Sequence, residues 1–321
     1  MTELLTIAER TKLPAVLARR SRFAGMIDTS IKNYSNIFSN CLLLSGRAGT
    51  GKTTIVMQEL EYLKSVGEIA DYRRASGHVT PRALYSLLKD TAKPVNNLPN
   101  ILVLDDVDCI SQAGDVGCYE LLKSALDTKS DLPTNRNVYY LTEDSAGFKY
   151  NGFCIIITNN LFNPDRINTH QEALLDRVQM VNVDLKKEDM FIYNTSLIEE
   201  YINKNPDDLS NDEISSVVNL FNDEIRKWNE TEAFAKAKVN FSIRLIKKFI
   251  DANRMFGSSW KSFNMQYQRL QAAAEINEAA QEVDTAITEL INPKTGKPFS
   301  KCYLNSLKKT GRYDEFVKKL A

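Results

Sequence analysis

The chain of 321 residues lacks a net charge, because 41 lysines and arginines stand against 41 aspartates and glutamates. No global field therefore draws it onto nucleic acid or an anionic membrane, and any such contact has to come from a local patch. Long hydrophobic runs are also missing. No segment approaches the roughly 18 apolar residues that read as a membrane span, and the opening MTELLTIAERTKLPAVLARR holds no signal-peptide core. Cysteines are few and odd in number, five without a CxxC pair, and several lie in apolar runs. They read as reduced core residues, not as a disulfide frame. Internal repeats and low-complexity tracts are absent. The expectation is a soluble, cytoplasmic chain with no membrane partner, long enough for a core domain of roughly two hundred residues and one or two smaller ones.

What is present is an alternation of short apolar runs with helical stretches. CLLLS at 41–45, EIADYRR near 68–74, NILVLD at 100–105, FCIIIT at 153–158 and MVNVD at 180–184 read as buried strands of a parallel sheet, which gives an α/β core. Basic residues (Arg10, Lys12, Arg19, Arg20, Arg22) mark a helical lead-in over 1–40. After about residue 186 the strands stop. Helices are expected near 188–203, 211–230, 242–255 and 259–290, followed by a turn at 292–299 and a basic tail.

Residues 46–54, GRAGTGKTT, follow the first apolar run directly. Val56, Leu60 and Leu63 then recur at helical spacing until Gly67. A GxxxxGKT loop between a strand and a helix is a phosphate cradle: glycines let backbone N–H groups close around phosphate, and the helix N-terminus adds its dipole. Gly46, Arg47, Ala48, Gly49, Thr50, Gly51, Lys52, Thr53 and Thr54 are thus nucleotide-binding candidates. Lys52 supplies charge for the β- and γ-phosphates, and the Thr53 hydroxyl is a ligand for Mg²⁺, so ATP and Mg²⁺ are the expected cofactors.

A second metal-side carboxylate is expected at the end of a neighbouring buried strand. ILVLDDVD at 101–108 supplies Asp105 for the Mg²⁺ shell and Asp106 as a base toward the attacking water. FCIIITNN at 153–160 ends in Thr158, Asn159 and Asn160, where an amide can orient that water.

These three segments, in this order, resemble the AAA+ family of ATPases. The resemblance covers residues 41 to about 255. It implies a parallel-sheet P-loop core over 41–185, a helical lid over 186–256 and a helical extension with a basic tail over 257–321. It also implies residue roles: Asn159 matches the sensor-1 residue, Arg177 in ALLDRVQMVNVD the arginine finger given to a neighbouring subunit, and Arg244 in FSIRLIKKFI the sensor-2 arginine. A finger acting in trans implies a homo-oligomeric ring or arc. Each arginine also has a plainer reading, Arg177 as an ion-paired helix end and Arg244 as a solvated residue beside Lys247 and Lys248. Ser242 is expected to cap Arg244's helix, with Ile243, Ile246 and Ile250 on its core face. The family usually has Glu where this chain has Asp106, so slow or switch-like turnover is compatible with it.

Between YELLKSALDTK and FCIIIT the chain inserts PTNRNVYYLTEDSAGFKYNG, residues 133–152, which reads as a β-hairpin. Similar hairpins in viral helicases and branch-migration motors line a central pore. Arg136, Lys149, Tyr139 and Tyr150 are then candidate DNA contacts, against the alternative of a surface hairpin without ligand. The segment SGHVTPRALYSLL at 76–88, with Arg73, Arg74, His78 and Arg82 in or beside it, is more basic than apolar and is loosely similar to ATPases encoded by bacteriophages, for which the compartment is the host cytoplasm. The tail after 293 is basic and could meet nucleic acid or form a solvated helix. The expected function is an ATPase moving or loading onto DNA, associated with replication. Rivals are a protein remodeller and a slowly hydrolysing nucleotide-dependent scaffold, with a small-molecule kinase last.

Overall fold

The computed structural model describes residues 2–35, 39–107, 115–127, 136–140, 147–159, 168–183, 185–205 and 207–275. The chain divides into two units, Leu5–Asn194 and Met1–Leu4 with Thr195–Ala321.

The first unit is a parallel sheet of five strands in the order β2-β3-β6-β1-β7. The strands are β1 (Cys41–Ser45), β2 (Asp71–Gly77), β3 (Asn100–Val107), β6 (Phe153–Thr158) and β7 (Gln179–Asn182). β1, β3 and β6 are buried almost throughout, which explains why they read as continuous apolar runs. Alternation divides their side chains between two faces. Leu42, Leu44, Ile101, Val103, Ile155 and Ile157 pack with Ile27 and Ile31 of α1 (Ile7–Lys32) and with Val56, Leu60 and Leu63 of α2 (Lys52–Ser65). Leu43, Leu102, Leu104 and Ile156 face α3 (Pro81–Thr91) and α4 (Val116–Ala125). The N-terminal lead-in is thus one long helix that covers the sheet. Thr6 and Glu9 start it with a reciprocal capping box. Cys41, Cys118 and Cys154 are free and buried, as core cysteines.

A small antiparallel pair, β4 (Asn137–Val138) with β5 (Phe148–Lys149), lies in the inserted segment. The hairpin reading holds here, but two of its expected DNA contacts do not. Arg136 is 3% exposed and Tyr150 0%, so neither can meet a polymer. Arg136 donates from Nε to the Asp127 carbonyl at 2.9 Å, and Val138 and Tyr150 join the α3–α4 core. Tyr140 and Phe148 stack near Tyr85 of α3, with ring centroids 5.6 and 5.1 Å away. Apolar anchoring therefore took residues that hydrophilicity and aromatic spacing had suggested for a ligand. Lys149 and Tyr139 are exposed. Residues 133–135, 141–146 and the basic tail lie outside the described residues.

The second unit is helical where it is described. Its elements include α7 (Asn211–Leu220), α8 (Arg226–Glu230), α10 (Ile243–Phe256) and α11 (Trp260–Phe263). A π-turn, Phe221–Ile225, joins α7 to α8. Its core is aromatic: Trp228 and Phe249 each meet Tyr267 edge-on, and Trp260 lies 5.3 Å from Phe249. α10 buries Leu245, Ile246, Phe249 and Ile250. Ser242 occupies its N-cap in extended backbone, but its hydroxyl makes no capping bond. The expected cap is therefore positional only.

Ser210 and Glu213 form a second capping box at α7, and Arg254 from α10 pairs with the same carboxylate at 2.5 Å. The Arg254 guanidinium and the Ser210 amide hold the Glu213 carboxyl down at about 2, against an ordinary value of 4.5. A carboxyl depressed by folding stabilises fully above its unfolded pKa and loses that contribution as pH falls through the folded one. The helical unit should therefore lose resistance to thermal unfolding as pH falls from 4.5 to about 2. Glu213→Gln should flatten that slope, which calorimetry across the range will show.

Candidate functional site

The loop at 46–51 lies at the carboxyl end of β1, and the same edge of the sheet carries the ends of β3 and β6. Parallel register sets these strands side by side, with Leu44 opposite Ile157 and Asp105 also opposite Ile157. Ligands of open α/β sheets bind at this edge. Gly51, at the N-cap of α2, holds φ +77°, a left-handed conformation that side chains disfavour. A Cβ on Gly46 would meet the Val183 carbonyl at 2.8 Å, so glycine is needed where the loop leaves β1. Thr50 is buried and closes the loop by donating to the Arg47 carbonyl at 3.0 Å. Arg47, Ala48 and Gly49 are exposed on its outer side, as is Thr54 on the first turn of α2.

Side-chain parity explains which residues meet. Asp105 follows Ile101 and Val103 on the α2 face, and Asn159 follows Ile155 and Ile157 on that face. The Thr53 hydroxyl donates to the Asp105 carboxylate, 3.0 and 3.1 Å from its two oxygens. Lys52, 5% exposed, donates from Nζ to the Gly46 and Arg47 carbonyls at 2.7 and 2.9 Å and to Asn159 Oδ1 at 2.8 Å.

Asp106 departs from alternation. Between Ser76 opposite Asp105 and Gly77 opposite Val107 the register slips by one, leaving Asp106 as the extra residue of a bulge with φ +50°. Such bulges redirect side chains, and strain of this kind concentrates at functional sites. Here the bulge brings Asp106 to the strand tip. Its carboxylate accepts from the Asn159 backbone N–H at 3.1 Å and from Asn159 Nδ2. Lys52, Asn159 and Asp106 form one chain of contacts, and Thr53 and Asp105 form a second.

Two participants escaped sequence reasoning. Arg74 of β2 sits on the α2 face two residues after Tyr72, and its guanidinium donates to Asp105 Oδ2 from Nε at 3.1 Å and Nη2 at 2.5 Å. The period-2 pattern of DYRRASG, once registered against β3, is the signal that would have placed it. Arg20 of α1 lies in the helical stripe Val16, Arg20, Ala24, Ile27 and Ile31, a cation in a core-facing row. Its guanidinium carbon stands 4.5 Å over the Tyr193 ring of α6 (Lys187–Lys204). Burial pulls its pKa below the usual arginine value, with the Tyr193 hydroxyl opposing.

Arg177 does not join this cluster in its own subunit. It precedes β7, whose Gln179 pairs Leu42, so it lies at the opposite end of the strands from the loop, on the order of 15 Å away by strand rise. Its Nη1 donates to the Ala173 carbonyl at 2.6 Å, and its Nε lies 3.8 Å from the Asp127 carboxylate. The partner of the plainer reading is thus Asp127, not Asp176. Arg244 is exposed on the first turn of α10 in the helical unit.

The donor set fits the expected group. Hydroxyl and carboxylate oxygens suit a hard cation such as Mg²⁺, and the enclosed lysine at a glycine cradle suits polyphosphate. Among the described residues no group of three or more His, Cys, Asp or Glu side chains is placed to hold a metal ion, so a cation here would draw on Thr53, Asp105 and the nucleotide's own oxygens.

A glycine loop between strand and helix, joined to an acidic strand end, defines a P-loop nucleotide-binding domain. Residues 42–183 match the model of the AAA family, the ATPase family associated with various cellular activities. This part of the chain is therefore an AAA+ P-loop ATPase domain. No curated protein matches the chain. Two solved structures are similar to the chain at low scores. AMPPCP-bound DnaA from Aquifex aeolicus is 11% identical over 85% of this chain and 69% of its own, with a TM-score of 0.38. Rhizobiales Trip13 is 13% identical over 84% of this chain and 94% of its own, with a TM-score of 0.39. At these scores neither carries weight for function.

A divalent cation held by Asp105 would compete with Arg74 for the same carboxylate. A half-exposed pair of this kind is worth about 0.5–1 kcal/mol, so Arg74→Ala should lower the Mg²⁺ concentration that half-saturates nucleotide binding about two- to fivefold. Titration of a fluorescent nucleotide complex with Mg²⁺ measures this directly.

Proposed function

We propose that this protein is an oligomeric ATPase that hydrolyses ATP to move along or load onto DNA, in the cytoplasm of its cell. The observation that carries the hydrolytic reading is the convergence of Lys52, Thr53, Asp105, Asp106 and Asn159 at one strand edge. Thr53 and Asp105 hold Mg²⁺, and bound Mg²⁺–ATP supplies the phosphoanhydride together with a divalent charge that neutralises its oxygens. Lys52 leaves its carbonyl partners for the β- and γ-phosphate oxygens. Asn159 orients the attacking water and Asp106 takes its proton as the water oxygen bonds the γ-phosphorus, the bond from that phosphorus to the β-phosphate oxygen breaks, and ADP and phosphate leave. Arg177 serves the γ-phosphate of a neighbouring subunit, and Arg244 that of its own. No helix among the described residues is long and apolar enough to cross a membrane.

The DNA reading now leans on Lys149, Tyr139 and exposed Arg73, and on the basic tail. A slow, switch-like ATPase is the second reading. It is favoured by the latch of Asp106, whose two carboxylate oxygens both accept from Asn159.

Phosphate release with and without single- and double-stranded DNA at low salt distinguishes these readings. Turnover should rise several-fold with DNA and fall to background in Lys52→Ala. Arg177→Ala should lose on the order of 10³-fold, the low end of what an arginine finger contributes, while keeping nucleotide affinity. No binding of DNA and no change in turnover would remove the DNA reading.

A further inference from the structure

We propose that Arg20 is a nucleotide ligand, a cation of α1 that takes a phosphate common to ADP and ATP at the α2 end of the loop. The inference rests on the nucleotide reading of that loop and adds a residue to it. Two of the guanidinium nitrogens of half-buried Arg20, Nε and Nη2, are enclosed and have no hydrogen-bond acceptor among the described residues. Buried donors are normally satisfied, and a buried cation without an anion is strongly destabilising. Arginine also keeps its charge when desolvated, so the position cannot relieve itself by losing a proton.

The place to which these donors belong is specific. A Cβ built on Gly51 would stand 3.2 Å from Arg20 Nη2 and 3.7 Å from the Tyr193 hydroxyl. Gly51 is the N-cap of α2, where backbone N–H groups and the helix dipole already favour an anion. Tyr193 lies against the guanidinium as a platform, which keeps the planar group oriented while its edge faces the loop. Lys52 reaches the other way, toward the β6 end and Asn159. The two cations therefore divide the polyphosphate, Lys52 at the end that distinguishes ATP from ADP and Arg20 at the end the two share. The same placement makes a side chain at 51 crowd the Arg20 guanidinium, in addition to straining the left-handed backbone.

The test compares ADP and ATP binding to the full chain, by fluorescence with labelled nucleotides, for the wild type, Arg20→Met, Arg20→Lys and Lys52→Ala. Arg20→Met keeps the apolar stem against the α1 stripe and removes only the donors. It should weaken ADP and ATP equally, about ten- to hundredfold, the worth of a charge-assisted hydrogen bond. Arg20→Lys should recover part of the loss. In thermal melts without nucleotide, Arg20→Met should be as stable as the wild type or more so, because an unpaired charge is gone, while its nucleotide-induced shift shrinks. Unchanged affinity for both nucleotides, or a loss confined to ATP, overturns the assignment. If the wild type and Lys52→Ala alike bind neither nucleotide, the reading of the loop itself fails along with it.

Discussion

The contact between the Thr53 hydroxyl and the Asp105 carboxylate depends on one constraint, the parallel register of β1, β6 and β3. Three strands that end level deliver a loop, an amide and a carboxylate to a single edge, and period-2 alternation aims Asp105 and Asn159 at the helix that begins with Lys52 and Thr53. A slip of one residue in β3 would turn Asp105 toward α3 and α4 and leave an ionised carboxylate in the apolar layer of Leu102 and Leu104. Burial of the strand thus enforces the site. The core supplies more than stability here, because the same parity that hides Ile101 and Val103 presents Asp105.

Against that regular background the bulge at Asp106 is informative. Adjacent aspartates on an ordinary strand face opposite ways, so one of the two would be lost to the site. The extra residue and left-handed backbone bring the second carboxylate to the strand tip, where Asn159 holds it. Aspartate tolerates that conformation better than most residues, which gives a local reason for Asp at the position where the related pattern has Glu.

The elements with strong periodicity were legible in the sequence. CLLLS and FCIIIT read as strands with the observed bounds, GRAGTGKTT as the loop between strand and helix, and LDDV as the acidic end of a buried strand. Harder to read was everything that depends on register between strands or between helix and sheet. Arg74 meets Asp105 only because β2 pairs β3 with Ser76 opposite Asp105, and no local signal specifies that offset. Arg136 and Tyr150 look like ligands for a polyanion in a polar segment, yet a hairpin of two-residue strands has to bury part of itself to stay folded, and these residues, with Val138, are what it buries. Arg20 was visible as a basic residue, while its place in the apolar stripe of α1 became meaningful only when that stripe met the sheet.

Three arginines of the α/β unit now stand in three electrostatic situations, and the differences bear on what each can do. Arg74 shares a carboxylate with the position suited to a metal, and its half-exposed side chain can retreat into water at little cost. Arg20 is half-buried over the Tyr193 ring with two enclosed donors unsatisfied, so an anion at those donors would lower its energy. Arg177 is held within its own subunit by one bond to the Ala173 carbonyl, with Asp127 too far at 3.8 Å for a hydrogen bond. A bond from a charged guanidinium to a neutral carbonyl is worth about 1.5–3 kcal/mol net, whereas a phosphate offers the same guanidinium an anion and a paired geometry. The role in trans proposed for Arg177 therefore requires a phosphate to replace the Ala173 bond and to draw out a side chain that is 16% exposed in its own subunit.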